Sequence, residues 1–349
     1  MAENARRARV ERLLEAARVL ADAEHDAGHA LRKRLRETTG LSSAGIELGL
    51  SRCLETEHGA AELDALLAST PEAPRAHVLL SANVFVAALR AIALGLASSA
   101  SVYVRASRRD PALAEALHGI VPDLFQLSPA LSPEPGDRFW AYGSDATLGE
   151  LRSSLASGVW FHPHGSGLGA VVVDCSIFTA GDARAIALDT ALFDQRGCLS
   201  PRVICVVGEQ TQAEGVAQAL ARELLALESQ LPPGPLSAEQ AAEARCQRDA
   251  AAYAFELFPA GSGWVSCARE LVVPPALRSL HVSWTHDPVQ ALSDLQPHLT
   301  CLATNTPALE STLGKAFDGA RLVALGDMQR PPLDGPVDRR HGTSGQLLP

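Results

Sequence analysis

The amino-acid sequence predicts an α/β protein whose strands form a largely parallel sheet. From residue 76 onward, short apolar runs of strand length alternate with longer segments in which apolar residues recur at helical spacing. This alternation is typical of strand–helix–strand units, which place parallel strands side by side. The chain has 349 residues, more than a single hydrophobic core usually contains, and therefore predicts more than one domain.

The segment before this alternation is predicted to be helical. Residues 5–38 show helical spacing of apolar side chains and form one predicted helix, which Thr39-Gly40 ends. The pair Ser42-Ser43 is suited to cap the next helical segment, which extends to Leu67. Residues 70–75, with the sequence TPEAPR, are predicted to be a linker.

The alternating part gives a series of predicted strands and helices. Strands are predicted at 77–83, 101–107, 138–143, 158–162, 169–174, 203–208, 271–275, 281–285, 301–305 and 321–325. Helices are predicted at 83–97, after Asp110-Pro111, and at 145–155, 182–193, 211–229, 237–257, 288–296 and 307–316. The sequence predicts a first domain at 1–169, a second domain at 170–325 and an extended tail at 326–349.

Composition argues against nucleic-acid and membrane binding. The net charge is −10 and aromatic residues are 5% of the chain, whereas a nucleic-acid or membrane surface is usually basic. The first twenty residues lack an apolar signal core, and no run of apolar residues is long enough to span a bilayer. The seven Cys show no zinc-binding spacing, so we expect reduced thiols in a cytoplasmic protein.

Cys198, in the sequence FDQRGCLSP, is the candidate nucleophile. Gly197 permits a tight backbone conformation, and Pro201 prevents a helix from continuing. A thiol at such a turn, beside Arg196, ionises more readily than one in an apolar run. The alternative is that Cys198 is a small buried apolar side chain, as most free Cys are.

Polar residues at predicted strand ends are further candidates. Asn83 follows a strand, where its amide is suited to donate to a developing oxyanion or, as the alternative, to cap the next helix. Arg105 and Ser107 end another strand, and strand ends are where α/β sheets bind ligands. Gly143-Ser144 joins a strand to a helix, which suits either a phosphate-binding turn or an ordinary connection.

The segment HGSGLG, residues 164–169, is rejected as a dinucleotide-binding fingerprint. Its glycines do not have the full spacing, and it precedes a strand instead of following one. His162 and His164 are two potential metal ligands, but a metal site needs a third ligand and none lies nearby in the sequence. No metal is therefore predicted.

Several fragments, taken together and in order, resemble the aldehyde-dehydrogenase superfamily, and within it the LuxC-type acyl-CoA reductases. The stretch around Cys198 is the most specific of them. The resembling fragments are TGLSSAGIELGLSRCLE, HVLLSANVFVAAL, SVYVRASRRDP, WAYGSD, HGSGLGAVVV, ALDTALFDQRGCLSPRVICVVG and GDMQRPPLDGP, which together span residues 39–335.

The resemblance implies a fold and a set of roles. The fold is an aldehyde-dehydrogenase-like α/β fold, with a Rossmann-type cofactor domain and an α/β catalytic domain. Cys198 matches the nucleophile, and Asn83 matches the amide of the oxyanion hole. Arg105 and Ser107 match a Lys-x-Ser strand end that touches the cofactor ribose and phosphate. Gly143-Ser144 matches the turn over the cofactor phosphates. Arg105 departs from the family's Lys, and the two cations are not interchangeable.

The implied reaction is reduction of an acyl-CoA to an aldehyde through an acyl-enzyme, with NADPH favoured and NADH left open. NADPH is favoured because the basic strand end RASRR, residues 105–109, suits a 2′-phosphate. A carrier-bound acyl substrate, an oxidative aldehyde dehydrogenase and a non-catalytic scaffold subunit stay open, as does a homo-oligomer. The chain has no Glu between Glu150 and Glu209, where hydrolytic relatives carry the Glu that activates water.

Overall fold

The computed structural model describes residues 2–342 and 345–348, which form an α/β structure with two largely parallel sheets. The chain divides into two compact units. Unit 1 contains Met1–Gly40, Ile46–Ser166 and Pro332–Pro349, and unit 2 contains Leu41–Gly45 and Gly167–Pro331. The predicted functional division into 1–169, 170–325 and 326–349 stays a prediction. Within the described residues, no helix has the length and apolar character needed to cross a membrane.

Unit 1 is built on a six-stranded sheet of order β13-β5-β4-β1-β2-β3. Its strands are β1 (Ala76–Leu79), β2 (Val102–Arg105), β3 (Gln126–Leu127), β4 (Arg138–Tyr142), β5 (Trp160–His164) and β13 (Gln346–Leu347). Strands β1 to β5 are parallel, and β13 pairs antiparallel with β5. The carboxyl ends of β1 to β5 therefore lie at one edge, where such sheets bind ligands.

The helices of unit 1 include two that replace the single predicted N-terminal helix. They are α1 (Ala2–Ala21), α2 (Asp26–Thr38), α3 (Ser43–Leu48, shared with unit 2 and continued by a π-helical turn at Gly49–Cys53), α4 (Ala60–Ala68), α5 (Ala87–Ser98), α6 (Ala112–Ile120) and α7 (Asp145–Ser154). The break between α1 and α2 is stabilised locally. The His25 Nδ1 accepts the Ala27 N–H at 3.1 Å, and the Arg32 guanidinium donates to the carbonyl oxygen of Ala21 at 2.7 Å. Apolar spacing does not reveal these polar contacts.

Unit 2 is built on a seven-stranded sheet of order β12-β11-β6-β7-β10-β9-β8. Its strands are β6 (Leu168–Asp174), β7 (Pro201–Val207), β8 (Glu256–Ala260), β9 (Gly263–Cys267), β10 (Leu280–Thr285), β11 (Leu299–Thr304) and β12 (Arg321–Ala324). Its helices are α8 (Ala180–Ala191), α9 (Gln210–Leu227), α10 (Ala238–Ala254), α11 (Pro288–Leu292) and α12 (Pro307–Ala316). The strands are parallel except for the antiparallel hairpin β8–β9. The central strands are buried on both faces, as expected for a parallel sheet.

Local predictions in unit 2 are wrong at two places away from Cys198. The predicted helix at 237–257 ends at Ala254, because the chain enters β8 and turns at Gly261, whose φ is 68°. The predicted strand at 271–275 is an irregular loop, because Pro274 and Pro275 have no N–H to donate to a neighbouring strand.

Candidate active site

Cys198 lies in unit 2, in the turn that leads from α8 into β7. It is partly exposed. The alternative prediction, a fully buried apolar thiol, instead describes four other cysteines: Cys53, Cys205, Cys267 and Cys301. Burial raises the pKa of Cys205 and of Cys267 to about 12, so these thiols stay protonated at neutral pH.

Two further cysteines are accessible but lie elsewhere. Cys246 is exposed on α10, and Cys175 is partly exposed after β6. Desolvation, followed by the nearby carboxylate of Asp174, raises the pKa of Cys175 above its ordinary value. Cys175 also lies in a hydrogen-bonded turn, which the Ile177 N–H closes on the Asp174 carbonyl at 3.4 Å, but its raised pKa disfavours the thiolate. Cys246 lies within helix α10 and not in a turn.

The turn before Cys198 has an unusual backbone. Phe193, Asp194 and Gln195 have φ values of 53°, 51° and 60°, in the left-handed region that favours glycine. All three side chains are buried. Such conformations cost about 1–3 kcal/mol per residue and persist only where surrounding contacts hold them. The predicted helix at 182–193 therefore ends early, at Ala191.

Hydrogen bonds fix the backbone on both sides of the thiol. The Ser200 N–H donates to the Gly197 carbonyl at 3.1 Å, which closes the turn around Cys198. The Thr300 hydroxyl contacts the carbonyl oxygens of both Cys198 and Leu168, the latter at 3.1 Å. The turn is thereby tied to the first residues of β6 and β11.

The segment GDMQ, residues 326–329, also holds the turn that carries Cys198. The buried carboxylate of Asp189, on α8, accepts the Gly326 N–H at 2.7 Å and the Met328 N–H at 3.1 Å. The Gln329 amide donates to the Ser200 hydroxyl at 3.1 Å. Gly169 is needed here, because an added Cβ would meet the Leu199 carbonyl oxygen at 2.4 Å. In the sequence these residues are recognisable only as parts of a resemblance, and no local pattern indicates their shared role.

The other predicted site residues lie in unit 1, at the carboxyl edge of its sheet. Arg105 ends β2 opposite Leu79, which ends β1, and Asn83 follows β1. Gly143-Ser144 follows β4, whose residue Ala141 is also paired with Leu79. The structure thus brings Asn83, Arg105, Ser107, Gly143 and Ser144 to one edge, as their strand-end positions predict.

Asn83 is exposed and does not cap helix α5. The N-cap position of that helix is Val86, which supplies no side-chain hydrogen bond. Within the described residues, the Asn83 amide has no hydrogen-bond partner. The capping alternative is therefore wrong, and the amide is available for another contact.

The turn Gly143-Ser144 presents a helix N-terminus at the same edge. The Ser144 hydroxyl caps α7 by accepting the Thr147 N–H at 3.2 Å. The Gly143 N–H donates to the His164 carbonyl at 3.2 Å. The first turn of α7 is exposed, and unpaired N–H groups together with the helix dipole favour an anion there.

Arg105 and Ser107 add a cation and a hydroxyl to this edge. Arg105 is partly exposed, and no carboxylate of the described residues pairs with its guanidinium. The Ser107 hydroxyl accepts the Arg109 N–H at 3.3 Å. The edge therefore combines a free positive charge with polar groups, which suits a phosphate-bearing ligand.

His162 and His164 are buried in β5 and stack on aromatic side chains. His162 stacks on Trp140 with ring centroids 4.5 Å apart, and Arg138 donates to its Nε2 at 2.9 Å. His164 stacks on Tyr142 at 4.3 Å, and burial lowers its pKa to about 4. Among the described residues, no three His, Cys, Asp or Glu side chains are arranged to hold a metal. HGSGLG connects two strands, β5 and β6, which excludes a strand-to-helix dinucleotide fingerprint.

Comparison with known proteins identifies the family. Residues 126–330 match the model of the acyl-CoA reductase (LuxC) family, which is more than half of the chain. A search of curated proteins gives no match. The matched residues 126–330 include Cys198 and the turn that holds it.

Solved structures show the aldehyde-dehydrogenase fold. An aldehyde dehydrogenase from Brucella melitensis biovar abortus matches with a TM-score of 0.69 and 12% identity, over 92% of this chain and 77% of that one. A putative methylmalonate-semialdehyde dehydrogenase from Sinorhizobium meliloti, complexed with NAD, matches with a TM-score of 0.68 and 13% identity, over 96% and 80%. A glyceraldehyde-3-phosphate dehydrogenase from Methanocaldococcus jannaschii, complexed with NADP, matches with a TM-score of 0.63 and 12% identity, over 90% of this chain and 80% of that one. The predicted fold class is confirmed, and the chain, an oxidoreductase by its family, belongs to the acyl-CoA reductase (LuxC) family.

Proposed function

We propose that this protein reduces an acyl thioester, an acyl-CoA, to an aldehyde through an acyl-enzyme on Cys198. The observation that carries the proposal is the position of Cys198. It is a partly exposed thiol in a turn that is fixed on both sides, inside the region that matches the acyl-CoA reductase family. A fixed, accessible thiol is what covalent catalysis requires of a protein.

The proposed reaction has two steps. The Cys198 thiolate attacks the thioester carbonyl, a new carbon–sulfur bond forms, and coenzyme A leaves as its thiolate and takes up a proton. In the second step the acyl-enzyme takes up a hydride, which a nicotinamide cofactor would supply when bound, and divides into the aldehyde and the Cys198 thiolate. The backbone N–H of Cys198 and the amide of Asn83 are proposed to stabilise the negative oxygen in both steps.

The carboxyl edge of the unit 1 sheet fits a nicotinamide cofactor. The exposed first turn of α7 is suited to hold the diphosphate. Gly143, just before this turn, has no side chain and leaves room for a phosphate. Arg105 and Ser107 are proposed to meet the adenosine ribose and, in NADPH, its 2′-phosphate. One similar structure is complexed with NAD and another with NADP, so the fold accepts either cofactor.

The test is the oxidation of NADPH and of NADH with a panel of acyl-CoAs of increasing chain length. We expect aldehyde and free coenzyme A to form in equal amounts. If the protein reduces only acyl groups that are bound to a carrier protein, that carrier and not coenzyme A is the acyl donor. Cofactor binding without turnover of any thioester would support a non-catalytic subunit and contradict the proposal.

Arg105→Ala is expected to weaken NADPH binding more than NADH binding. The Arg105 guanidinium is proposed to pair with the 2′-phosphate of NADPH, which NADH lacks. Charged hydrogen bonds of this kind contribute about 1.5–3 kcal/mol. Fluorescence titration with each cofactor measures both dissociation constants. Arg222→Ala, which removes an exposed Arg of α9, is the matched control. Equal weakening of both cofactors would place Arg105 away from the 2′-phosphate.

Asn83→Ala is expected to lower turnover by about 100- to 1,000-fold, the usual effect of removing one oxyanion donor. The melting temperature should barely change, because the Asn83 amide has no partner among the described residues. Asn305→Ala is the opposite control, since its amide donates to the Asp174 carbonyl at 3.1 Å. That variant should lose stability and retain turnover. An Asn83 variant that is destabilised but fully active would assign the amide a structural role.

A further inference from the structure

Two buried polar side chains stand directly before the Cys198 turn and have no part in the reaction as proposed. Asp194 is the first of them, with only 7% of its side chain exposed. Its Oδ1 accepts two hydrogen bonds from Arg278, at 3.2 Å from Nε and 2.8 Å from Nη2. Its Oδ2 accepts the Gly234 N–H at 3.1 Å. A buried carboxylate is thus fully paired at this position.

Gln195 is the second, and its side chain is 1% exposed. Its Nε2 donates to the Pro201 carbonyl at 2.7 Å and to the Ser279 carbonyl at 2.8 Å. Its Oε1 accepts the Ser279 N–H at 2.9 Å. The amide therefore clamps the residue at the start of β7 to the residue that precedes β10, with Cys198 in the loop between Gln195 and Pro201.

Asp194 has a second Arg partner, because the Arg196 Nη2 lies 3.4 Å from its Oδ2. The first partner, Arg278, is itself held firmly. Arg278 has a left-handed φ of 58°, and its Nη1 donates to the Leu231 carbonyl at 2.7 Å. Together with Gly234 and Ser279, it belongs to two loops of unit 2 that are distant in sequence from the Cys198 turn. The left-handed run at 193–195 is therefore maintained by two loops of unit 2 that are distant in sequence, together with Pro201 at the start of β7.

We propose that Asp194 and Gln195 are positioning residues that hold the Cys198 turn in the single conformation needed for acyl transfer. This inference rests on the proposed role of Cys198. Three consecutive left-handed residues without a glycine relax to ordinary backbone conformations unless side-chain contacts hold them. Relaxation there moves Gly197 and Cys198, and a displacement of about 1 Å at a reacting group commonly costs on the order of 100-fold in rate.

The test uses Asp194→Asn and Gln195→Met, which keep the size of each side chain. Asn also tolerates the left-handed region, so the first variant removes the charge pair without adding backbone strain. We expect the single-turnover rate of Cys198 acylation by an acyl-CoA to fall by about 100-fold. The pH profile of Cys198 alkylation by iodoacetamide should shift as well, because the thiol no longer has one fixed environment.

Ser266→Ala is the matched control for stability. Its hydroxyl lies 2.8 Å from the His281 Nδ1, a buried hydrogen bond between β9 and β10 that does not touch the turn. We expect this variant to lose melting temperature while its acylation rate and alkylation profile stay as in the wild type. A loss of rate in the two positioning variants that exceeds the control at equal melting temperature supports the inference.

Wild-type acylation and alkylation in both Asp194→Asn and Gln195→Met, with only a lower melting temperature, would overturn it. Failure of the proposed function is a different result. In that case the wild type itself would show no acyl label on Cys198, while the iodoacetamide profiles would still report whether the two residues hold the turn.

Discussion

Replacing Cys198 by Ala is expected to abolish both thioester reduction and covalent acyl labelling. Without the thiol, no acyl-enzyme forms, and the cofactor has no covalent acyl group to reduce. The fold should persist, because Cys198 is partly exposed and the turn is held through backbone and neighbouring side chains. Mass spectrometry after incubation with an acyl-CoA, and thermal melting, measure the two effects separately.

The accessible thiols Cys175 and Cys246 provide the controls. Cys246→Ala removes an exposed thiol on α10, and Cys175→Ala removes one whose pKa is raised by desolvation. Both variants should retain turnover and the acyl label. Normal turnover in Cys198→Ala, or an acyl label that moves to Cys175 or Cys246, would refute the assignment of the nucleophile.

The acyl-enzyme is expected to transfer its acyl group to coenzyme A far faster than to water. Water needs a base to remove its proton, and such a base commonly supplies about 100- to 10,000-fold. A thiol reacts largely as its own thiolate and needs less help. The protein should therefore convert aldehyde and oxidised cofactor to acyl-CoA quickly, and to free acid slowly.

Three ionisable groups near HGSGLG are poorly suited to act as that base. His164 is buried, with a pKa lowered to about 4, so it binds a proton too weakly to serve as a base at neutral pH. The carboxylate of Asp145 accepts the Ser166 N–H at 2.8 Å. The carboxylate of Asp338 is buried and paired with Arg340 at 2.6 Å. Each group is either engaged or a poor proton acceptor.

The measurement supplies aldehyde and oxidised cofactor with and without coenzyme A, and follows acid and acyl-CoA by chromatography. His164→Asn serves as the internal comparison and should leave the ratio of acid to acyl-CoA unchanged. Rapid acid formation in the absence of coenzyme A would show a working hydrolytic base and favour an oxidative aldehyde dehydrogenase. A tenfold change in the ratio for His164→Asn would identify His164 as that base.

Much of the fold follows from local patterns in the sequence. Parallel strands that are buried on both faces appear as short continuous apolar runs, so β7 and β11 are found within a few residues of their predicted bounds. Helix α12 begins at Pro307, which suits a first turn, and spans the predicted range. These signals lie inside the elements that they specify.

The candidate site is less readable from the sequence. Gly197 and Pro201 mark a turn, but Phe193 continues the apolar spacing of α8 and gave a helix that extends too far. The left-handed residues are stabilised by Arg278, which is separated from Asp194 by 84 positions. Such a contact leaves no local signal. Asn83 shows the converse, since its capping alternative is ruled out only by the observation that Val86 occupies the N-cap position of α5. Its role as an oxyanion donor stays a prediction.

The return of the chain to unit 1 has a consequence for folding during synthesis. Strand β13 pairs with β5, and the Leu348 N–H and carbonyl bond to Val159 and Gly158 at 3.0 and 2.9 Å. The apolar side chain of Leu348 packs into the core with Phe139 and Phe161. Residues 167–331 leave the ribosome before these contacts form, so unit 2 has all of its strands while the first sheet still lacks one edge. Of the two units, unit 1 is therefore begun first and completed last.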